Sequence, residues 1–267
     1  MSFPLISQTN KTPPVAITMP TGSSLGTNQF LKFPRSTGGS FANNLGSSFV
    51  LSMWVNIPDF TENRAIAGAA YQGSAARSSA LMIRSDGSLH YWQHNNDSGY
   101  NIDLSTASGM VAGQWYHIQV NHYRNSADIT DQTVTIYRDG VAIIGPVTAW
   151  TSLFSNQHTY QAFNANTSST GEQITHTIGA YIGNNAGSMT PYSGGMNFWR
   201  CYMIDGDQGD FPNPSSFIST DSNGNIGAIP YTGGFGTNGY FLEIDGPVSV
   251  TEFDLSGNGI VWEAASF

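Results

Sequence analysis

Two short acidic alternations are the first residues in this sequence that could do chemistry: Glu243-Ile244-Asp245 and Glu252-Phe253-Asp254. On an extended strand the two acids of each set share a face. A carboxyl pair roughly 5–5.5 Å apart is what retaining glycoside hydrolysis uses. Pro247, two residues beyond Asp245, would break a ladder at that point. One Gly-x-Ser-x-Gly match, Gly22-Ser23-Ser24-Leu25-Gly26, has the spacing of a nucleophile elbow. No strand precedes it and no helix follows it, so it reads as chance in a Gly/Ser-rich stretch. The six histidines, His90, His94, His117, His122, His158 and His176, share no spacing, and no nearby Glu or Cys completes a zinc set. The loop Asp205-Gly206-Asp207-Gln208-Gly209-Asp210 offers oxygens to calcium. It lacks the full spacing and closing glutamate of a calcium loop, and it reads as a solvated turn. No cofactor is expected, calcium being the one ion the loop would suit.

Sugar binding asks for something different: an aromatic ring to stack on, with amides and carboxylates beside it. Tyr91, Trp92, His94, Asn95, Asn96, Asp97 and Tyr100 gather that mixture at one strand end. Trp92 reads equally as core or as platform. Trp54 and Trp115 sit inside apolar strands and read as core. The single cysteine, Cys201, excludes an intrachain disulfide and reads as a small buried hydrophobe.

These residues must be positioned by strands, because no stretch of a dozen residues holds a helical period. Phe49 to Ile57 alternates and stops at Pro58-Asp59. Ser79 to Arg84 leads through Ser85-Asp86-Gly87 into Ser88 to His94, and Gln132 to Arg138 meets Asp139-Gly140 before Val141 to Ile144. Asp-Gly between apolar runs signals a hairpin. In Trp115 to Tyr123, Ile118 and Val120 share one face with His122, while His117, Gln119 and Asn121 take the other. Thr175 to Ile182 and Met196 to Ile204 read as two further strands. Many short strands with Gly, Asn and Asp turns predict an all-β sandwich or barrel. Residues 1–28, rich in Pro, Thr, Ser and Gly, read as an extended N-terminal arm ahead of a single domain over 29–267. Thr148 to Gln173 reads as a long polar loop.

Composition narrows the function classes. Charged residues are 10% and the net charge is −9, with only nine Lys plus Arg. A chain with so few cations and no basic stripe suits neither nucleic acid nor an anionic membrane. The N-terminus carries no secretory signal and no apolar run is long enough to span a bilayer, so synthesis in a cytoplasm is expected.

Several segments resemble the laminin G-like branch of the concanavalin A-like sandwich family. They are Phe49 to Val55, Gly113 to Val120, Val134 to Val141, His176 to Ala180 and Tyr192 to Trp199, in the family's order and spacing. The resemblance implies a jelly-roll sandwich of two antiparallel sheets. The tail is similar to that of concanavalin A-like proteins of tailed bacteriophages. It runs from Ile204-Asp205-Gly206 through Asn213-Pro214-Ser215-Ser216-Phe217 and Tyr231 to Leu242, with its Gly236-Thr237-Asn238-Gly239 block, to Asp254-Leu255-Ser256-Gly257-Asn258-Gly259 and Trp262. Where that pattern carries a tryptophan before a proline, this chain has Gly227-Ala228-Ile229-Pro230. The likeness implies a virion surface protein, a head decoration or tail-associated component. Its partners would be other virion proteins docked through residues 1–28, further copies of itself, and a cell-surface glycan. A stand-alone glycan-binding adhesin is the alternative. Glucanases that resemble this fold carry Glu-x-Asp-x-x-Glu. Here Val248 and Gly257 stand where the last acid of each set belongs, and no enzyme is expected. Tyr231, Phe235, Tyr240 and Phe241 are expected to pack as a lid on one sheet.

Overall fold

The computed structural model describes residues 29–33, 48–71, 78–95, 100–124, 132–147, 174–179, 181–185, 188–192, 196–206, 211–236, 239–243 and 251–266. The arm expected over residues 1–28 and the loop expected over 148–173 lie outside them. In chain order the strands are β1 (Gln29–Phe33), β2 (Phe49–Asn56), β3 (Arg64–Tyr71), β4 (Ser78–Ile83), β5 (Ser88–Asn95) and β6 (Tyr100–Ala107). Then come β7 (Trp115–Arg124), β8 (Gln132–Arg138), β9 (Val141–Val147), β10 (Ile174–Ile178), β11 (Tyr181–Asn185) and β12 (Ser188–Tyr192). The last six are β13 (Asn197–Asp205), β14 (Ile218–Thr220), β15 (Ile226–Ala228), β16 (Tyr240–Leu242), β17 (Thr251–Phe253) and β18 (Val261–Ser266).

They build the two antiparallel sheets that the sequence predicts. One has eight strands in the order β17-β18-β1-β10-β3-β4-β5-β6; the other has six, in the order β16-β13-β2-β7-β8-β9. Two small hairpins, β11-β12 and β14-β15, complete the described strands. No helix among the described residues is long and apolar enough to cross a membrane.

Alternation decides which side chains fill the space between the sheets. Leu51, Met53 and Val55 of β2, Ile118 and Val120 of β7, and Cys201 and Met203 of β13 point inward, against Leu81, Tyr91, Ile178 and Trp262 of the larger sheet. Burial keeps the Cys201 thiol inert, pushing its pKa up to about 12. Both Asp-Gly turns form as read. Asp139 and Gly140 both take positive φ, 52° and 82°, as a two-residue hairpin with right-handed strand twist requires.

Two expectations need correction. Thr175 to Ile182 is two strands, because Gly179 turns the chain at φ 81° and its N–H donates to Ile66 O at 3.0 Å. Tyr240 does not join the lid. It shares the inward parity of Leu242, is almost wholly buried in the inter-sheet core, and meets Trp262 edge-on at 4.9 Å. The remaining lid residues, Tyr231, Phe235 and Phe241, lie where the reading placed them.

That lid is a third layer. Residues 211–236 cross the outer face of the six-stranded sheet and form a second apolar cluster with it. Phe217 and Ile218 pack on Val50, Trp54, Tyr202 and Ile204, with Tyr231, Phe235 and Phe241 alongside. Phe241 stacks on Tyr202 at 4.4 Å. Strand β2 is therefore covered on both faces, and all eight of its residues are buried.

Candidate ligand-binding face

The outer face of the six-stranded sheet is ordered in cross-strand rows, because directly paired residues project to the same side. Asn197, Asn56 and Trp115 form one row; Trp199, Trp54 and His117 form the next; Tyr202, Ser52 and Gln119 follow. The cap covers the second and third rows. Phe217 stacks on His117 at 6.1 Å, and Gln119 Nε2 donates to Pro212 O at 2.9 Å. His117, Gln119 and Ser52 are consequently buried, although the sequence pattern marks His117 and Gln119 as the polar side of β7. His117 Nε2 and Ser52 Oγ share a hydrogen bond of 2.8 Å. Burial depresses the imidazole pKa to about 3, so the ring is neutral.

The first row and the edge of the second carry the more exposed chemistry. Trp115 and Asn197 of the first row and Trp199 of the second are half-buried, with both indoles packed along the margin of the cap cluster. Asn56 Nδ2 donates to Gly113 O at 2.6 Å, and Asn197 Nδ2 donates to Asn56 Oδ1 at 3.2 Å. That bond occupies one of Asn197's two amide hydrogens and leaves its Oδ1 as an acceptor. A bulge between Trp199 and Tyr202 in β13 inserts Arg200, which takes φ 45°, a conformation that costs a non-glycine residue roughly 1–3 kcal/mol. The bulge lays the guanidinium over the Trp199 ring at 4.5 Å and aims Nε at Glu243 Oε1, 2.8 Å away. Glu243 follows β16 directly and stands beside Arg200 across the ladder. Cys201 pairs with Leu242, so Glu243 falls opposite Arg200, farther along β13 than the Asn197 row. Two indoles, an anchored amide and a carboxylate thus lie along one strip of the sheet's outer face.

The residues expected to bind sugar are placed differently. Tyr91 faces inward, wholly buried, with its hydroxyl 3.2 Å from His122 Nδ1. It cannot stack on a ligand from solvent, because its parity on β5 is that of Leu89. Trp92 takes the opposite parity and packs, half-buried, against Ala65, Ala80 and Met82 on the outside of the larger sheet. The side chains of His94, Asn95 and Tyr100, and all of Asn96 and Asp97, lie outside the described residues. In the acidic loop Asp205 is buried and its N–H donates to Phe235 O at 2.8 Å; Asp207 and Asp210 lie outside the description. Among the described residues no three His, Cys, Asp or Glu side chains gather as a metal site. Trp54 is buried as expected, but under the cap; Trp115 is only half-buried and belongs to the exposed row.

The signal for that row was in the parity of β7. Trp115 alternates in step with His117, Gln119 and Asn121, the polar side, and out of step with Ile118 and Val120. The Asn56–Asn197 pair joins residues 141 positions apart and leaves no local mark.

No family model matches this sequence, and no curated protein matches it. Among solved structures the chain is similar to a heptameric SAP-like pentraxin from Limulus polyphemus, with TM-score 0.42 and 16% identity over 72% of this chain and 76% of that one. It is similar to the CBM40 of a Ruminococcus gnavus IT-sialidase, with TM-score 0.43 and 12% identity over 70% and 89%. It is also similar to domains LG4-5 of the mouse laminin alpha1 chain, with TM-score 0.38 and 13% identity over 66% and 41%. Likeness at such scores and identities carries no ligand or activity. The chain's own strand order, two antiparallel sheets of eight and six strands, makes it an all-β sandwich.

Proposed function

We propose that this chain is a non-catalytic, glycan-binding protein displayed on the surface of a virion. The observation that carries the binding part is the strip formed by Trp115, Asn197, Trp199 and Glu243. Indole faces receive the C–H surface of a sugar, and amide and carboxylate oxygens receive its hydroxyls. The acids that could have served catalysis support the same reading. Glu243 is held by Arg200 at 2.8 Å. Asp254 Oδ1 accepts the N–H groups of Phe241 and Ser256 at 2.7 and 2.8 Å, and its Oδ2 accepts the Ser256 hydroxyl at 2.5 Å. The Asp254 carboxylate is thus committed to the fold, and the Glu243 carboxylate is held in place by Arg200. Binding of the full chain to a glycan array, with Trp115→Ala and Trp199→Ala measured beside it, tests this. Retained signal in both variants would refute the strip as the site.

The virion part of the proposal is supported by the phage-like segment between residues 204 and 262. On this reading the protein is made in the host cytoplasm and docks on the particle, at head or tail, through residues 1–28, beside further copies of itself. Mass spectrometry of purified particles should find the chain. Deleting residues 1–28 should abolish incorporation while the sandwich still folds. An unchanged copy number would refute the docking role.

A further inference from the structure

We infer that the strip on the six-stranded sheet takes an uncharged glycan and excludes sialylated, sulfated or phosphorylated ones; this rests on the glycan-binding reading above. The argument is which charge the site shows to solvent. Arg200 is 7% exposed, and it is turned onto the Trp199 ring and the Glu243 carboxylate. Its Nη1 is buried without a hydrogen-bond partner, so an incoming anion cannot touch it. The Glu243 side chain, by contrast, is 29% exposed. The strip therefore presents a fixed carboxylate and hides the cation that fixes it. Arg138 does not supply a positive charge here. It is paired with Ile118 across the ladder, shares that residue's parity, and donates from Nη1 to Ser108 O on the other side of the sheet. The chain's net charge of −9 adds repulsion at longer range.

A carboxylate of this kind is an acceptor without a proton of its own. It suits hydroxyl donors and meets a ligand carboxylate or sulfate with like charge, the neighbouring cation Arg200 being buried. Asn197, with one amide hydrogen and Oδ1 left over, can both donate to and accept from a neighbouring hydroxyl. Asn197 and Glu243 thus offer hydroxyl-binding groups at two separate points of the strip.

The test is a glycan array printed with neutral, sialylated and sulfated glycans, probed with the full chain at low and high salt. The hits should be neutral glycans, with signal unchanged by salt. Glu243→Gln, which keeps an acceptor for Arg200 but loses the charge, should weaken those hits about tenfold, the scale of a charge-assisted hydrogen bond. Asn197→Ala should weaken them several-fold, and Glu263→Gln, on the other sheet, should leave them unchanged. Hits confined to sialylated or sulfated glycans, falling steeply with salt, would overturn this inference and leave the glycan-binding reading standing. An array with no hits at all would overturn the glycan-binding reading itself. Neutral hits indifferent to both Glu243→Gln and Asn197→Ala would overturn the assignment to this strip. If Glu243→Gln melts early, Asn197→Ala alone decides.

Discussion

Acidification from about pH 7.5 to about pH 4.5 should cost this fold roughly 3 kcal/mol through one imidazole. His117 lies between Trp54 and Phe217, at 5.7 and 6.1 Å, fully buried under the cap. Desolvation takes its pKa from 6.5 to about 3. The folded state therefore refuses a proton that the unfolded chain accepts. The stabilisation is fully present above pH 6.5 and is lost as pH falls toward 3. At roughly 1.4 kcal/mol per unit, about two units of the gap have been felt by pH 4.5, which gives the roughly 3 kcal/mol; the ceiling is roughly 5 kcal/mol. Asp59 does not confuse the window. The Thr61 hydroxyl and N–H, with the Arg64 guanidinium, hold its pKa at about 2, so its contribution is lost only below about pH 4. Asp139, whose carboxyl burial pushes up, moves stability the opposite way, and equally in wild type and variant. The comparison protein is His117→Phe with Ser52→Ala, which removes both partners of the 2.8 Å bond and leaves no orphaned hydroxyl. Urea unfolding at both pH values should show the wild type losing about 3 kcal/mol more than the double variant. Equal losses in the two proteins would refute the neutral buried imidazole.

The other expectations concern the core and the cap. Cys201 should resist an aromatic disulfide reagent in the native state and react once per chain after unfolding; fast native labelling at neutral pH would contradict its burial. Trp262→Ala should cost about 3–5 kcal/mol by urea unfolding, since Trp262 is wholly buried against Tyr240. Gly236→Ala should lower the melting temperature and cost roughly 1–3 kcal/mol or more. Its φ is 73°, and a Cβ there would run into the Asp205 carbonyl, whereas Gly234→Ala meets open space and should be tolerated.

Much of the fold was legible because its strands obey a period of two. Ile118 and Val120 against His117 and Gln119, or the clean run of Gln132 to Arg138, announce a face before any partner is known. Strand β3 was not legible: Arg-Ala-Ile-Ala-Gly-Ala-Ala-Tyr has almost no β-branched or aromatic residues, and it is a strand because β10 and β4 pair with it on either side. The two-faced burial of β2 was equally hidden, since the cap that covers it arrives some 160 residues later in the chain. The candidate site was legible only in part. Trp115 could be assigned to the polar side by parity. Arg200 could not be placed, because a left-handed arginine at a bulge has no sequence marker of the kind that Asp-Gly gives a turn. Tyr91 shows why a run of residue types suited to sugar does not by itself make a site: alternation sends every second one inward, and Tyr91 is buried.

The segment from Ile204 to Trp262 and the strip on the outer face are different parts of one structure. Asn258 Nδ2 donates to the carbonyls of Gly236 and Gly239, at 2.8 Å each. Asp254 Oδ1 accepts the Phe241 N–H at 2.7 Å. The Asp-Leu-Ser-Gly-Asn-Gly segment is therefore the clamp for the glycine block. The block carries the chain back from Phe235, packed on the cap, to Tyr240 in the core. Trp115, Asn197 and Trp199 lie outside that segment, on β7 and β13; the two indoles pack along the cap cluster, and Glu243 joins the strip one residue past β16. The clamp thus fixes the third layer, and the third layer sets the border of the half-buried strip beside it.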